Sequence, residues 1–309
     1  MNNKNKFSLL LVVTIMTTGL LSSCFKEDLT DCPRPFQVTI KAVCADGNDI
    51  TESGDVEQVI LFVFDEEETI FNSYILSAKD IIEHKAVEIA MDYPGHPSLQ
   101  FVAWGNLDER EDYTDISSVK ELNDFYVKLK TTSSKQSGFL MAQPPGDLFE
   151  GNIIVQEEFG GIEPGRSQVV EIHRITEGVT ITAIGLKQWN GNKDGTYGYR
   201  LRESFNSCDC FGHMGGEKVY CEPTANFNEK DHFIAPLFYM FPPADNITYV
   251  LDILFNGEVI FTADRDSDGK PFNTDLGRTL NIIIDFSAEL NIMCVITPWN
   301  VVYQYVVYE

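Results

Sequence analysis

The sequence predicts an all-β fold of two tandem antiparallel β-sandwiches behind an export signal. Short segments that alternate apolar and polar residues recur along the chain, and clusters of glycine, proline, asparagine and aspartate separate them, as is typical of sandwich strands. No long segment repeats apolar residues at the spacing of an amphipathic helix. The 309 residues exceed the usual size of one domain, so two domains are expected.

A signal peptide is predicted over residues 1–23. Lys4 and Lys6 precede a mostly apolar run from Phe7 to Leu21, which is too short to span a bilayer and is typical of a secretory signal. Leu21-Ser22-Ser23-Cys24 ends this run and resembles the lipobox of bacterial lipoproteins, in which the cysteine thiol takes a lipid. The alternative is an ordinary secretory signal with an incidental cysteine.

Residues 24–35 are predicted to form a lipidated linker. Fatty acyl chains such as palmitate on Cys24 would hold the protein on the membrane, because burial of each methylene group is favourable. The acids Glu27 and Asp28 directly after this cysteine resemble the surface-export signal of Bacteroidetes lipoproteins. We therefore expect a lipid-anchored outer-membrane protein that faces the cell surface, with a periplasm-facing lipoprotein as the alternative.

The first sandwich is predicted over residues 36–160. Phe36–Val43 alternates apolar and polar residues and predicts a half-buried strand, whereas Val59–Phe64 is apolar on both faces and predicts a fully buried one. The acids Asp65–Glu68 predict a hairpin turn after it. A short helix is expected over Tyr113–Phe125, and further strands over Thr69–Leu76, Ala86–Met91, Leu99–Trp104, Phe125–Leu129 and Gly138–Ala142.

The second sandwich is predicted over residues 166–309. Glycine and proline cluster in Phe159–Gly165, which indicates a domain boundary there. A long loop is expected from Gln188 to about Asp231, because that segment is rich in glycine, asparagine and cysteine. The strands are predicted at Gln168–Ile172, Val179–Leu186, Phe233–Phe241, Ile247–Phe255, Glu258–Thr262, Thr279–Phe286, Leu290–Ile296 and Val301–Tyr308.

The charge balance excludes some classes of partner. The chain carries 47 acidic against 23 basic residues, a formal net charge of −24. Such acidity argues against a nucleic-acid partner and against adhesion to anionic lipid through a basic patch. It favours solubility outside the cell.

The cysteines and histidines do not form a catalytic pattern. Export permits disulfides, but the sequence cannot choose among the pairings of the six cysteines after Cys24. Cys208, Cys210, His213 and Cys221 allow a zinc cluster, although the segment lacks a C-x-x-C pair, so a loop with a disulfide or free thiols is favoured. The five histidines are scattered, and no G-x-S-x-G, H-E-x-x-H or P-loop motif occurs, so no enzyme is predicted.

One acidic segment matches part of a calcium loop. Asp264, Asp266 and Asp268 alternate before Gly269, and Asp275 falls at the twelfth position. Oxygen atoms at this spacing can converge on calcium where glycine permits the turn, but the twelfth ligand of an EF-hand is the longer glutamate. The flanking segments predict strands rather than helices. An acidic hairpin turn without metal is therefore favoured over a calcium site, and no other cofactor is expected.

Four stretches of the chain carry a pattern together: residues 27–33, Val59–Asp65, Phe101–Leu107 and His173–Ile181. In this order they resemble the FimB/Mfa2 family of fimbrial anchor proteins of Bacteroidales, and they cover nearly the whole chain after Cys24. The resemblance implies two transthyretin-like sandwiches that root a fimbria in the outer membrane and limit its length.

The resemblance also implies assembly by strand exchange with a fimbrial shaft subunit. In this process an extended segment of one subunit fills a groove in the next. In polymerising subunits a protease opens the groove by removing a leading strand after arginine or lysine. Here such a cut would separate the protein from the lipid on Cys24, and Arg34, the arginine near the start, precedes Pro35. The first domain is therefore predicted to stay closed and to serve as the base.

The C-terminal tail is the candidate for the exchanged strand. Val301–Tyr308 contains residues of high β-propensity without proline, glycine or charge. Such a segment needs a partner or a cover. It is either the donor strand or the last strand of the second sandwich, and both interpretations stay open. The candidate exchange residues are Val301, Val302, Tyr303, Tyr305, Val306 and Val307.

The alternative function is that of a surface glycan-binding lipoprotein, because such proteins also use sandwiches with exposed aromatic rings. Trp104 lies in an apolar segment and is expected in the core. Trp189 lies among polar residues and is the candidate sugar-binding ring.

Overall fold

The structure is a computed structural model that describes residues 36–89, 97–108, 111–113, 122, 125–133, 140–156, 167–243, 246–287 and 289–303. The signal peptide, the linker with Cys24 and most of the helix predicted at Tyr113–Phe125 lie outside these residues. β-Strands dominate the described chain, and its helices have five residues or fewer. The all-β prediction is confirmed.

Among the described residues before 160, the elements are ten strands, one 3-10 turn at Thr51–Ser53 and one short α-helix, α1 (Ala78–Ile82). The strands are β1 (Phe36–Val43), β2 (Gln58–Phe64), β3 (Ile70–Ser77), β4 (Val87–Ile89), β5 (Ser98–Gly105), β6 (Glu111–Tyr113), β7 (Tyr126–Leu129), β8 (Thr131–Ser133), β9 (Leu140–Ala142) and β10 (Phe149–Gln156).

In the described part of the chain after residue 160, the elements are ten strands and α2 (Leu186–Trp189). The strands are β11 (Ser167–Arg174), β12 (Glu177–Ile184), β13 (Tyr197–Asp209), β14 (Met214–Cys221), β15 (Asn226–Phe227), β16 (Phe233–Met240), β17 (Val250–Phe255), β18 (Glu258–Ala263), β19 (Arg278–Asp285) and β20 (Asn291–Pro298).

The first sandwich is one sheet folded on itself, in the order β3-β2-β5-β10-β11-β1-β4. β10 pairs with β11 only at Phe149–Arg174 and Glu150–His173, so the sheet divides there into two leaves. The leaves pack face to face around alternate apolar residues of both, because successive side chains of a strand point to opposite faces. This core includes Val38, Ile40, Leu61, Phe101 and Val170.

The second sandwich consists of two sheets. One has the order β15-β16-β12-β19-β20, and the other has the order β18-β17-β13-β14-β9-β8 with β6 and β7 attached through β13. Their shared core continues onto the outer face of the first sandwich, where Phe125 contacts Phe62 and Trp104. The two sandwiches are thus joined by buried apolar side chains.

Strand pairing differs from the predicted division into residues 36–160 and 166–309. β11 follows that boundary in sequence but pairs with β1 in the first sandwich, whereas β7 and β9 precede it but pair with β13 and β14 in the second. The glycine and proline cluster marks a connection between β10 and β11, and a connection does not determine which sheet a strand joins. The whole cluster, Phe159–Gly165, lies outside the described residues.

The predicted loop from Gln188 to Asp231 is wrong, because this segment forms β13, β14 and β15. β13 is half-buried along much of its length, and its pairing with β14 shifts register twice, between Arg202 and Ser204 and between Phe205 and Ser207. Such bulges interrupt the alternation by which a strand is recognised in a sequence. These interruptions, together with the loop-like composition of the segment, hide a central strand from a prediction based on the sequence.

Candidate functional site

The leading strand fills the first sandwich. β1 pairs in parallel with β11 from Gln37–Ser167 to Val43–His173, and antiparallel with β4 on its other side. The side chains of Val38, Ile40 and Ala42 are buried in the core between the leaves. Removal of β1 would expose this apolar groove, so its presence keeps the sandwich closed.

The connection after β1 offers no site for a trypsin-like protease. Residues 44–57 join β1 to β2 and contain neither lysine nor arginine. The connection is also tied to the strand, because the backbone N–H of Ala42 donates to the Thr51 hydroxyl at 3.0 Å. Arg34 precedes the first residue of β1, so a cut there would leave the strand in place.

The root of the C-terminal tail crosses the sheet that contains β19 and β20. The chain turns at Asn300, which has a positive φ of 58°, and the N–H of Val301 donates to the Pro298 carbonyl. The N–H of Tyr303 then donates to Oδ1 of Asn281 at 2.9 Å. Val301, Val302 and Tyr303 are exposed and not in a strand, and Tyr305, Val306 and Val307 lie outside the described residues.

Buried polar side chains hold this tail root. Asn281 is fully buried; its Oδ1 also accepts the Thr180 hydroxyl at 2.8 Å, and its Nδ2 donates to the Thr297 hydroxyl at 2.9 Å. The hydroxyl of Thr297 donates in turn to the Val301 carbonyl. The tail backbone is therefore fixed by side chains while its own apolar side chains face solvent.

Arg174 joins the two sandwiches next to the tail root. Its Nε donates to the Asp147 carboxylate at 3.0 and 3.1 Å, and its Nη2 donates to Asp55 at 2.6 Å. The guanidinium lies 4.7 Å from the ring centre of Phe149 and 4.5 Å from that of Trp299. Only 3% of the Arg174 side chain is exposed, so these contacts form away from water.

The carboxyl of Asp147 has an altered acidity at this junction. Burial raises its pKa to about 6, although the Arg174 guanidinium acts in the opposite direction.

The Trp299 ring stacks on Tyr239 with the ring centres 5.0 Å apart and 9° between the planes. Trp299 therefore contacts the first sandwich through Arg174 and the second through Tyr239.

The residues of this junction were not predicted from the sequence, although Arg174 lies in the stretch that carries the family resemblance. An arginine at a strand end looks like an ordinary exposed charge. The acids that bury it, Asp55 and Asp147, lie far from it along the chain, so no local pattern links the three residues.

The predicted calcium ligands do not converge. Asp264 pairs with Arg265 at 2.9 Å, and Oδ1 of Asp266 accepts the backbone N–H groups of Asp268 and Lys270 within its own turn. Asp275 instead lies near Glu177, whose pKa it helps to raise. No group of three or more histidine, cysteine, aspartate or glutamate residues lies at metal-binding spacing within the described ranges.

The three tryptophans occupy different environments. Trp104 is fully buried, as predicted. Trp189 is 45% exposed, and its ring packs against Phe286 at 4.7 Å and Phe261 at 6.2 Å between ring centres. One part of the Trp189 ring is therefore available to a ligand, and another part is used in packing.

The described cysteines are free thiols, and four of the five are buried: Cys208, Cys210, Cys221 and Cys294. Burial raises the pKa of Cys210 and of Cys221 to about 12. Nδ1 of His213 lies 3.1 Å from the Asp209 carboxylate rather than in a cysteine cluster. The segment therefore carries free thiols, one of the two alternatives favoured over zinc.

Two comparisons of sequence identify relatives. The sequence profile of the family described as fimbrillin-A associated anchor proteins Mfa1 and Mfa2 matches residues 29–305. The major fimbrium anchoring subunit FimB of Porphyromonas gingivalis strain W83 is 34% identical over 314 aligned positions, which cover all of both chains.

Solved structures share the fold. The fimbrial anchor protein Mfa2 of Porphyromonas gingivalis superposes with a TM-score of 0.59 at 14% identity, covering 87% of this chain and 98% of its own. A candidate polysaccharide-binding protein of Bacteroides thetaiotaomicron superposes with a TM-score of 0.63 at 16% identity, covering 85% and 97%. Among the described residues, no helix is both long and apolar enough to cross a membrane.

Proposed function

The chain belongs to the family of fimbrillin-A associated anchor proteins, and on that premise we propose that it holds a fimbria on the outer membrane through a lipid on Cys24. The membrane end is the linker of residues 24–35, which leads directly into β1. The fimbrial end is the C-terminal tail. The protein acts as a structural subunit in this proposal, without a catalytic role.

The closed first sandwich is the observation that carries this proposal. A subunit in the middle of a shaft must offer an open groove to one neighbour and a donor strand to the other. Here β1 occupies the groove, and the connection after it lacks a basic residue for the protease. Such a subunit can join a neighbour only through its other end, which makes it a terminal subunit and limits growth at the base.

The tail supports the second half of the proposal. Val301–Tyr303 leaves the sheet with exposed apolar side chains, and the following residues continue with high β-propensity. A strand of this composition can fill the groove of a shaft subunit, with backbone hydrogen bonds for affinity and alternate side chains for register.

The test compares two truncated proteins expressed in cells that lack the native gene. One ends at Tyr303 and keeps the backbone contact with Asn281; the other ends at Asn300 and loses Val301–Glu309. We expect both to reach the cell surface, and both to release fimbriae into the medium, as seen by electron microscopy and by immunoblotting of the medium. The fimbriae made by cells with either truncated protein should also differ in length from those made by cells with the full-length protein.

Retained fimbriae on cells with the protein that ends at Tyr303 would exclude the donor role of the tail. If only the protein that ends at Asn300 fails, and circular dichroism shows loss of its folded state, the tail root is part of the fold and not a connector. Cys24→Ala separates the membrane step, since it should release protein and fimbriae together.

Glycan binding is the second candidate function, and the half-exposed ring of Trp189 is the observation that favours it. Sugar rings stack on such aromatic faces. Loss of glycan-array binding in Trp189→Ala, with unchanged fimbrial attachment, would support this function.

A further inference from the structure

The second sandwich is arranged so that a pull on the tail would peel one of its sheets. The register pairs Gly178 with Thr279 and Arg278 with Pro298, so β12 begins where β20 ends. β12 follows β11 of the first sandwich after two residues. A force between the tail and the first sandwich therefore enters and leaves this sheet at the same end, where hydrogen bonds break one after another.

The first sandwich has the opposite arrangement. The linker enters β1 at Phe36, and β11 leaves toward the second sandwich at Arg174. Because β1 and β11 are parallel, these two points lie at opposite ends of the pair. A pull along this line loads all the hydrogen bonds of the pair at once, so none of them is exposed to the whole force alone.

We propose that the contact of Arg174 with Trp299 is a clamp that carries the pulling force from the tail root directly to the β1–β11 pair, past the sheet that would peel. This inference rests on the proposed function in one respect, because it takes the tail as the fimbrial connection.

The contacts of the clamp suit this role. Asp55 and Asp147, both in the first sandwich, hold the Arg174 guanidinium from one side, and Phe149 covers one of its faces. Trp299, two residues before the exposed tail, contacts the guanidinium at 4.5 Å. A cation–π contact is strongest where both groups are removed from water, as Arg174 is here.

Force measurements on single molecules test the clamp. Residues 24–309 carry one handle at the N-terminus and the other at the C-terminus, and magnetic tweezers record the rate of the first extension at constant force. In Trp299→Leu we expect this rate to rise about 2- to 30-fold, the range that the energy of one cation–π contact corresponds to. Trp299 is chosen because loss of Arg174 would leave the largely buried Asp147 carboxylate, 16% exposed, without its cationic partner.

Two controls isolate the path of the force. Tyr220→Leu removes a ring that lies 4.8 Å from the guanidinium of Arg200, a similar contact away from the tail. In the second control, one handle is moved from the C-terminus to the exposed loop at residues 191–195, so that the tail carries no force. We expect Tyr220→Leu to leave the end-to-end rate within twofold of the parent, and Trp299→Leu to have no effect in the loop geometry.

Equal acceleration by the two substitutions, or equal acceleration by Trp299→Leu in both geometries, would overturn the clamp. These outcomes differ from failure of the proposed function. The tweezers need no fimbria, whereas a wrong assignment of the tail would appear as retained fimbriae on cells with the truncated protein.

Discussion

At the scale of single residues, Glu177 lies buried where the second sandwich begins. It is 2% exposed and accepts the Tyr249 hydroxyl at 2.8 Å, and the neighbouring Gly178 packs so closely that a Cβ atom there would meet Thr279 at 2.9 Å. Burial and then Asp275 raise the pKa of Glu177 from 4.5 to about 8. The folded chain therefore favours the protonated carboxyl.

The raised pKa of Glu177 predicts that the protein loses stability as the pH rises. Between pH 4.5 and about 8 the unfolded chain has lost this proton while the folded chain keeps it, so the free energy of unfolding falls with increasing pH, by at most about 1.4 kcal/mol per pH unit for one group. Glu177→Gln keeps an acceptor for Tyr249 and cannot ionise. The free energy of unfolding of this variant, measured with urea, should therefore depend less on pH than that of the parent.

The pH dependence of stability differs most clearly between Glu177→Gln and the parent from pH 7 to pH 8. Burial also raises the pKa of Glu150, to about 7, and this group adds to the slope at lower pH in both proteins. Glu229→Gln, which changes an exposed loop residue, removes the same charge without burial and should keep the parental slope. An unchanged slope in Glu177→Gln would show that Glu177 is ionised in the folded chain.

The acidic turn at Asp266 gives a second prediction at this scale. Its carboxylate already accepts two backbone N–H groups, and the partner of Asp264 is Arg265. We therefore expect calcium to produce no binding heat in calorimetry, and Asp266→Ala to destabilise the turn by roughly 1 kcal/mol through its lost hydrogen bonds. Binding heat in the parent that disappears in Asp266→Ala would instead establish a calcium site.

At the scale of elements, the sequence predicts those strands whose alternation is uninterrupted. β1 and β2 were predicted within a residue of their bounds, and the hairpin of β2 and β3 is confirmed. β13 was missed because its bulges break the alternation, and α1 because five residues show no helical period. Its only signal is a capping box, in which Ser77 and Asp80 bind each other's backbone N–H.

The junction could not be predicted for a different reason. Strand patterns report burial along one segment, whereas Arg174 depends on a pairing between β10 and β11 that lasts only two residues. The closed groove could be predicted only in part, since the sequence predicts β1 as a strand but does not predict which two strands pair with it.

The absence of a basic residue between β1 and β2 predicts that a protease cannot free β1 and open the groove of the first sandwich. Asn48→Arg places an arginine in this exposed connection, and we expect an arginine-specific protease to cut there. The cut strand β1 should then be displaced by a synthetic peptide with the sequence of a shaft subunit's tail, measured by fluorescence anisotropy. The parent should resist both steps.

Asn48→Gln is the matched control, because it changes the same position without adding a cleavage site. Peptide binding by the uncut parent would contradict the closed groove. Cleavage of Asn48→Arg without peptide binding would show that β1 stays bound by its buried side chains alone.

At the scale of the whole molecule, the two sandwiches share apolar side chains rather than a flexible linker. Phe125 lies with its ring centre 4.6 Å from that of Phe62, 5.7 Å from that of Phe64 and 6.5 Å from that of Trp104. These three partners belong to the outer face of the first sandwich, whereas Phe125 precedes β7, which pairs with the second. Loss of either sandwich would expose this core.

The shared core predicts that both sandwiches unfold in one transition. Trp104 reports on the first sandwich and Trp189 on the second, and Trp299, which contacts both, is replaced by phenylalanine in either case. Urea unfolding followed by fluorescence in Trp189→Phe/Trp299→Phe and in Trp104→Phe/Trp299→Phe should then give coincident midpoints. Phe125→Ala removes the central ring and should lower the free energy of unfolding by about 3–5 kcal/mol. If Phe125→Ala separates the two midpoints while the parent keeps one, this ring couples the unfolding of the two sandwiches. Two midpoints in the parent would mean that each sandwich unfolds independently, as a simple tandem arrangement predicts.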